Sequence, residues 1–458
     1  MYCLRRLILV ALFSFLMQIG MSNIADSVVY QNRRAQLARL MQEGIAIIPT
    51  ASEKIRNRDS HFPFRYDSYF YYLTGFVEPD ALLVIQGGTN SQSILFCRNK
   101  DPEKEIWDGF RYGPAGAKEA FHFDQTYSFE ELDAVMPTLL ANQITLSYPL
   151  GVSPHWDERI LRWLNQVRAQ ARTGVKAPEV MRDVRAWLDE MRLFKSPEEL
   201  RCMRRAAEIS SAAHRRAMQF APRARYEYEV EAELLYEFRR NGAQAPAYTP
   251  IVAGGANACV LHYIQNNAPL DKGQLLLIDA GCEFCGYAAD ITRTFPVSGK
   301  FSAAQKAVYE IVLSAQDAAI AMAKPGNDWE APHRAALAVI VQGIKDLGLA
   351  QESMAEIIEN ETYKRFYMHR TGHWLGLDVH DVGQYKTEGD WRSLQAGMTL
   401  TVEPGFYIRP APDIPQEFWH IGVRIEDDLL ITETGNEVLS AAAPKTLTDV
   451  EATVQAGL

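Results

Sequence analysis

Two stretches of the sequence, GQLLLIDAG at residues 273–281 and GMTLTVEPG at residues 397–405, share one pattern of glycine and acid. In each stretch a glycine lies six residues before an acid, Asp279 or Glu403, and another glycine lies two residues after it. Apolar residues precede each acid, which predicts a buried strand that ends in a carboxylate. The shared spacing indicates an internal repeat, and this repeat decides the fold class.

A second pair of acids extends the repeat. Gly286 lies four residues before Asp290 in GYAADITRTF, and Gly422 lies four residues before Glu426 in GVRIEDDLLI. Each half also begins with two predicted helices, near residues 197–220 and 226–240 in the first half and near residues 302–323 and 328–347 in the second. We therefore expect an α/β (α+β) fold whose second domain has a pseudo-two-fold repeat with equivalent acids.

Four acids at the ends of apolar strands need a counter-charge, because burying an unpaired carboxylate costs several kcal/mol. Solvent-exposed strand ends would explain one such acid, but the duplicated pattern favours a metal site. Carboxylates are hard oxygen ligands, so the site suits two divalent ions, with Mn²⁺ favoured and Co²⁺ or Zn²⁺ as alternatives. Two ions about 3.5 to 4 Å apart can lower the pKa of a shared water, which is typical of two-metal hydrolysis.

Three of the ten histidines lie in MHRTGHWLGLDVHDVG, residues 368–383. His369 and His373 have the spacing of a helical zinc pair, but Arg370 stands where an H-E-x-x-H motif has its Glu, and glycines and valines favour a loop or an extended chain. In an extended chain, residues four apart are separated by roughly 13 Å, so both imidazoles cannot reach one ion. One histidine is then a candidate ligand and the others, including His380, have another role. Three structural histidines are the alternative interpretation.

The sequence divides into two domains. The first third mixes a helical start with short strands such as GIAIIP, ALLVIQG and SILFCR, which is typical of an α/β domain. Further along, Ser196, Pro197 and Glu199 form the signature of a capped helix start. We predict an N-terminal mixed α/β domain over residues 21–175 and a second domain over residues 176–458.

The composition excludes several classes of protein. The 458 residues are 47% hydrophobic and 23% charged, as in a globular protein with large cores. The net charge is −10, from 47 basic and 57 acidic residues without a long basic run, which argues against nucleic-acid binding. Six cysteines are few for this length, so we expect a reducing compartment, the cytoplasm.

Cys282 and Cys285 form a C-x-x-C motif. A redox or zinc function needs a helix start after a strand, or a second ligand pair, and the sequence has neither. Two small residues in a β-hairpin are the favoured interpretation.

The N-terminus allows two interpretations. Arg5 and Arg6 precede LILVALFSFLM, an apolar run of eleven residues that fits a signal peptide and is too short to span a membrane. A signal peptide would imply export. The cleavage site is poor, which favours the second interpretation, that Met21 is the true start and residues 1–20 are an upstream extension. We expect no membrane span elsewhere.

Four motifs of the second domain, DAGCEFCGYAADITRTFP, HRTGHWLGLDVHDVG, TVEPGFYI and GVRIEDD, resemble those of the pita-bread metallopeptidases of family M24, specifically the bacterial Xaa-Pro aminopeptidases (aminopeptidase P). Upstream, FRYDSYFYYLTGFVEPDALLVI and IWDGFRYGPAGA resemble the N-terminal domain of this family. The resemblance covers most of residues 27–440. It implies a pita-bread catalytic domain preceded by an aminopeptidase P N-terminal domain.

The resemblance also implies the metal ligands, which are Asp279, Asp290, His373, Glu403 and Glu426. Asp290 and Glu426 would bridge two ions, and Glu403 would also accept a proton from the bridging water.

Further residues match positions around the family's substrate site. His262, His369 and His380 would contact the substrate, with His380 stabilising the oxyanion of the tetrahedral intermediate. Arg424 and Tyr407 would stabilise the site without binding the metal ions themselves.

The motifs of the N-terminal domain imply an oligomer, and at one position they differ from the family pattern. Trp107 matches a residue that reaches a neighbouring subunit's site in relatives, which implies a homo-oligomer, a dimer or a tetramer. Where many relatives have S-D-F, this chain has Ser68, Tyr69 and Phe70, with Asp67 displaced by two positions. A role of that acid in reading the substrate amine therefore stays open.

The implied function is that of a metal-dependent aminopeptidase that releases the N-terminal residue from peptides with proline in the second position, by attack of a hydroxide held by two metal ions. A prolidase, which cleaves only Xaa-Pro dipeptides, is the alternative, although HWLGLDVHDVG and the IWDG segment favour the aminopeptidase. A metal-free binding module or a creatinase-like hydrolase would have lost ligands, and all five are present.

Overall fold

The computed structural model describes residues 27–88 and 90–458, which fall into two compact units divided between Met191 and Arg192. The signal-like segment and the alternative start at Met21 lie outside the described residues. Within the described part of the chain, no helix is both long enough and apolar enough to cross a membrane.

The first unit contains both strands and helices. Its strands are β1 Ile45–Pro49, β2 Ile55–Asn57, β3 Ser60–His61, β4 Leu82–Gln86, β5 Gln92–Cys97, β6 Gln125–Ser128, β7 Thr145–Ser147 and β8 Val180–Arg182. Its helices are α1 Ser27–Met41, α2 Ser68–Thr74, α3 Pro102–Asp108, α4 Gly113–Phe121, α5 Leu132–Leu140 and α6 Pro154–Arg168, and α7 Arg185–Leu193 follows.

One six-stranded sheet organises the first unit, in the order β6-β5-β4-β1-β7-β8. The three strands expected from GIAIIP, ALLVIQG and SILFCR are β1, β4 and β5, and they lie side by side with antiparallel pairing. The other neighbours pair in parallel. Fully buried side chains such as Ile47, Val84 and Trp163 form the core. This confirms the predicted mixed α/β domain, and its sheet takes in β8, beyond the predicted boundary at residue 175.

The second unit contains the repeat. Its helices are α8 Pro197–Phe220, α9 Glu227–Arg240, α10 Ala303–Met322, α11 Ala331–Asp346, α12 Met354–Glu359 and α13 Leu447–Gln455. Its strands are β9 Ala245–Pro246, β10 Ile251–Gly254, β11 Leu275–Asp279, β12 Cys282–Phe284, β13 Tyr287–Ala288, β14 Thr292–Pro296, β15 Lys386–Thr387, β16 Asp390–Trp391, β17 Thr399–Val402, β18 Gly405–Ile408, β19 Ile421–Arg424, β20 Asp427–Ile431 and β21 Asn436–Val438.

The two halves of the second unit are built in the same way. Strand β11 pairs antiparallel with β14, so that Asp279 lies opposite Thr292, and β17 pairs antiparallel with β20, so that Val402 lies opposite Asp427. Helices α8 and α9 pack together in the first half, and α10 and α11 pack together in the second. The predicted pita-bread domain with a pseudo-two-fold repeat is confirmed.

Two local predictions are also confirmed. The Ser196 hydroxyl accepts from the Glu199 backbone N–H at 3.4 Å, and the Glu199 carboxylate accepts from the Ser196 N–H at 2.8 Å, which completes the capping box of α8. Cys282 begins β12 and Cys285 lies in the turn to β13, with which β12 pairs antiparallel. The C-x-x-C motif is therefore part of a hairpin.

Candidate active site

One cavity of about 300 Å³ in the second unit collects nearly all of the predicted site residues. Its walls are formed by Leu261, His262, Asp279, Asp290, His369, Arg370, Gly372, His373, His380, Glu403, Arg424 and Glu426. Below, Asp279, Asp290, Glu403 and Glu426 are called the acid cluster, and His262, His369 and His380 the outer histidines. Tyr407 lies behind this wall, and Trp107 belongs to the first unit.

The Tyr248 hydroxyl joins the two acids of the first half. It lies 2.6 Å from Asp279 Oδ1 and 2.5 Å from Asp290 Oδ1, and Arg424 Nη2 donates to the other Asp279 oxygen at 2.6 Å. Burial raises the pKa of Tyr248 well above its usual value, so the hydroxyl keeps its hydrogen. The two carboxylates are therefore held in fixed orientations by neutral and cationic donors.

Threonines orient the two acids of the second half. The Thr292 hydroxyl donates to Glu426 Oε2 at 2.6 Å, and the Thr401 hydroxyl donates to Glu403 Oε1 at 3.3 Å. Burial raises the pKa of Glu403 to about 7 and the pKa of Glu426 well above its usual range, and the charge of Asp290 acts in the same direction on both. Burial and mutual repulsion therefore oppose ionisation of all four carboxylates of the acid cluster at once.

His373 presents one ring nitrogen to the acid cluster. Its Nδ1 lies 2.9 Å from the carbonyl oxygen of Trp374, which can only accept, so Nδ1 carries a hydrogen. Its Nε2 lies 3.4 Å from Asp290 Oδ2 and 3.5 Å from Glu403 Oε1. Burial opposes protonation of the ring, but the hydrogen bond to Asp290 and the charge of Glu403 outweigh it and raise the pKa of His373 to about 9. Nε2 therefore either donates to these acids as part of an imidazolium or, in a neutral ring, binds a cation placed between it and the acids.

The donor atoms fit a metal ion in that position. Asp290, His373 and Glu426 each offer one ligand atom, and these atoms lie within 4.8 Å of one another. Carboxylate oxygen and imidazole nitrogen are ligands of divalent ions such as Mn²⁺ and Zn²⁺. A divalent ion would favour the ionised form of all four carboxylates, which burial and mutual repulsion oppose.

His369 is held by a chain of hydrogen bonds that ends at a guanidinium. Its Nδ1 donates to the Arg370 carbonyl at 2.7 Å, so Nε2 accepts from the Tyr407 hydroxyl at 2.9 Å. The Tyr407 oxygen in turn accepts from Arg424 Nη1 at 3.0 Å. Burial and the positive charge of Arg424 lower the pKa of His369 to about 3. The imidazole is neutral, and its orientation is fixed.

The other outer histidines are exposed at the cavity. The ring of His380 lies with its centroid 4.2 Å from that of His373, and burial together with the charge of His373 lowers the pKa of His380. A neutral His380 can donate one hydrogen bond to a bound molecule. His262 lies in the turn that follows residues 255–259.

A buried ion cluster anchors the chain beside His380. Asp381 accepts from Arg192 Nη2 at 2.5 Å and from Lys195 Nζ at 3.0 Å, and all three side chains are buried. A Cβ atom at position 376 would come within 2.2 Å of Asp381 Oδ2, so only Gly376 allows this close approach.

Several residues of the site were not foreseen from the sequence. Thr401 lies two residues before Glu403, so side-chain alternation along a strand would have placed it on the same face as that acid. Thr292 contacts Glu426, 134 residues away, and its spacing gave no such indication. Asp428 accepts from the Asp290 backbone N–H at 3.1 and 3.2 Å.

Tyr248 lacked any such signal, because it lies 31 and 42 residues from the two acids that it joins.

The first-unit segment that departs from the family pattern begins a helix. The Asp67 carboxylate accepts from the Phe70 backbone N–H at 2.9 Å and caps α2. The Tyr69 hydroxyl donates to Asp189 at 2.6 Å. Asp67 therefore has a capping role in this chain.

Comparisons with known proteins agree with the geometry. Residues 201–433 match the profile of metallopeptidase family M24, and residues 30–147 match that of the aminopeptidase P N-terminal domain. The Xaa-Pro aminopeptidase of Haemophilus influenzae is 45% identical over 424 residues, which cover 92% of this chain and 96% of that protein.

Solved structures show the same similarity over both domains. Aminopeptidase PepP of Pseudomonas aeruginosa is 46% identical with a TM-score of 0.92, covering 94% of this chain and 98% of that one. Zinc-substituted aminopeptidase P of Escherichia coli, in complex with product, is 42% identical with a TM-score of 0.92, covering 94% of this chain and 99% of that one. Fold and site together define a pita-bread metallopeptidase. The chain belongs to metallopeptidase family M24, within which it is similar to the Xaa-Pro aminopeptidases, and this confirms the family expected from the motifs.

Proposed function

We propose that the chain is a metal-dependent aminopeptidase that releases the N-terminal residue from peptides with proline in the second position. The observation that carries the proposal is one cavity in which the acid cluster and His373 lie together with the outer histidines. The relatives named above, which span nearly the whole chain, bear the name of this activity.

The metal site would consist of Asp279, Asp290, His373, Glu403 and Glu426. These residues would hold two divalent ions, with Asp290 and Glu426 shared between them, and four carboxylates would balance two dications. Oxygen-rich ligands favour Mn²⁺, with Co²⁺ or Zn²⁺ as alternatives. When bound, such ions polarise a peptide carbonyl and lower the pKa of a water molecule.

Glu403 is the proposed acceptor of the proton that an attacking water gives up. Its carboxylate faces the cavity and is oriented by the Thr401 hydroxyl, and its backbone N–H donates to the Thr371 carbonyl at 2.7 Å. The same carboxyl group can return the proton to the departing proline nitrogen, which needs one to leave as an amine.

The outer histidines would select and orient the peptide. A proline nitrogen carries no hydrogen, so recognition must rest on the shape of the ring and on contacts to carbonyl groups. A neutral His380 would donate to the oxygen that becomes negatively charged in the transition state. His262 and His369 would line the slot for the ring, with His369 fixed through Tyr407 and Arg424.

We also propose a homo-oligomer, a dimer or a tetramer, in which Trp107 reaches a neighbouring subunit's substrate. Trp107 is 87% exposed, and Ile106 and Phe110 beside it are 81% and 67% exposed. A cluster of exposed apolar side chains is typical of a protein interface. Sedimentation analysis checks this proposal: a wild-type monomer, or an unchanged assembly and activity in Trp107→Ala, would contradict it.

The proposed location is the cytoplasm, because the sequence has few cysteines. Export is the alternative. Fractionation of cells that express the full chain distinguishes the two.

The activity is tested on metal-loaded protein with three substrates: an Xaa-Pro dipeptide, an Xaa-Pro tripeptide and a longer peptide. We expect release of the first residue from the tripeptide and the longer peptide, and little release when alanine replaces proline. Cleavage of the dipeptide alone would favour the prolidase. No hydrolysis by protein with verified metal content would contradict the proposal.

A further inference from the structure

Glu227, the first residue of α9, is a carboxylate that lies entirely inside the second unit, with 0% of the residue exposed. A buried carboxylate is costly unless hydrogen bonds replace its water. Its two oxygens accept four hydrogen bonds, from Gly254 N at 2.8 Å, Asn257 Nδ2 at 3.0 Å, the Tyr263 hydroxyl at 2.7 Å and Ala268 N at 2.9 Å.

These four donors lie on both sides of His262 in the chain. Gly254 and Asn257 precede it, and Tyr263 and Ala268 follow it. Tyr263 is buried, whereas the adjacent His262 is exposed and lines the cavity. His262 therefore projects from a short segment that Glu227 holds at both ends.

The start of this segment is also fixed against the strands that lead to the site. A Cβ atom on Gly422, in β19, would come within 2.4 Å of the Ala258 carbonyl oxygen, so the two backbones are in close contact. Arg409 donates to the Cys259 carbonyl at 2.9 Å. Four residues after Cys259, the Tyr263 hydroxyl donates to Glu227, and His262 lies between these two contacts.

Only a carboxylate fits these four donors. An ionised carboxylate accepts at both oxygens, whereas the amide of a glutamine would direct its own N–H groups at two of the donors. We propose that Glu227 is a positioning residue that sets the place of His262 in the cavity and thereby its contact with the substrate. Glu227 does not itself line the cavity. This inference rests on the proposed function, because that function gives His262 its contact.

The first experiment measures the segment directly by hydrogen exchange of the full chain. In Glu227→Gln, we expect amides of residues 255–268 to exchange at least about tenfold faster, because half of the anchoring hydrogen bonds are lost. Glu199→Gln is the matched control. Glu199 is also a buried acid in the first turn of a helix, and it accepts from the Tyr287 hydroxyl at 2.8 Å. The control should leave exchange in residues 255–268 unchanged.

The second experiment is a double-mutant cycle on kcat/KM with an Xaa-Pro tripeptide. Misplacement of a substrate contact can cost up to about a hundredfold, so we expect Glu227→Gln to lower kcat/KM by about ten- to a hundredfold with unchanged metal content. If Glu227 acts through His262, the double variant with His262→Ala should be no worse than the poorer single variant. Multiplied losses would instead show an independent structural role and overturn the proposal, as would wild-type activity in His262→Ala.

Tyr263→Phe removes one of the four donors and leaves the Glu227 carboxylate in place. This variant replaces Glu227→Gln in the exchange experiment if Glu227→Gln does not fold. The same increase in exchange is expected, to a smaller extent. If the wild-type protein with verified metal content does not cleave Xaa-Pro peptides, the proposed function fails, whereas unchanged exchange in both Glu227→Gln and Tyr263→Phe overturns the positioning role alone.

Discussion

The acid cluster and the outer histidines are held in place in different ways. Each acid lies in a paired strand or within two residues of one, so the pairing of β11 with β14 and of β17 with β20 determines where its backbone lies. The outer histidines lie outside helices and strands. Hydrogen bonds from other segments place them, such as the Tyr407 hydroxyl on His369. Sheet register thus fixes the acids, whereas hydrogen bonds to loops fix the outer histidines. We therefore expect substitutions in the acid cluster to impair metal binding, and substitutions of the outer histidines to impair substrate binding and turnover.

The largest effect is expected from Asp290→Ala and from Glu403→Ala. Each removes a carboxylate that balances the charge of the proposed ions, and Glu403 is also the proposed proton acceptor, so turnover should fall to background. Chelation should do the same, reversibly. Glu310→Ala, an exposed acid on α10, is the control and should keep full activity. Wild-type-like turnover in either site variant, or full activity after verified metal removal, would contradict the dinuclear site.

His373→Ala should lower the metal content, because Nε2 of His373 faces Asp290 and Glu403. Elemental analysis should show a fall from about two ions per chain toward one. If the variant keeps its full metal content, His373 is not a metal ligand and belongs with the outer histidines. The division between metal-binding and substrate-contacting residues would then be wrong at this position.

His380→Ala should keep its metal and lose turnover. A hydrogen bond that strengthens in the transition state affects mainly kcat, and removal of a comparable donor costs ~10²- to 10³-fold. Steady-state kinetics and elemental analysis on the same sample check both parts. If His380→Ala loses metal while His373→Ala retains it, the roles of the two histidines are reversed.

Tyr248→Phe should have the smallest effect. Its hydroxyl orients Asp279 and Asp290, and loss of such a partner typically lowers metal affinity by about 10- to 100-fold. Titration against a competing chelator measures the affinity, and kcat at saturating metal should stay near the wild-type value. The exposed Tyr236 provides the control Tyr236→Phe. Unchanged affinity would show that strand register alone orients the acids.

Much of the fold could be predicted from the sequence, because its signals are local. The glycine-to-acid spacing around Asp279 and Glu403 predicted the repeat, since strands of similar length that end in the same turn carry the same spacing. The capping box at Ser196 and the hairpin at Cys282 depend on residues a few positions apart, and both are confirmed. The candidate acids were found in the same way, because each acid follows a glycine at a spacing that recurs in the other half of the repeat.

The sequence by itself thus determined the architecture, the family and the acids that converge. Only the tertiary structure decided which side chains orient them: Tyr248 meets acids 31 and 42 residues away, and Glu227 meets the Tyr263 hydroxyl 36 residues away. The tertiary structure also decided that Nε2 of His373 faces the acid cluster, because Nδ1 donates a hydrogen bond to the Trp374 carbonyl. The physical reason is that a side-chain hydrogen bond between distant segments requires only that the folded backbone brings donor and acceptor within about 3 Å, and no spacing in the sequence records that distance.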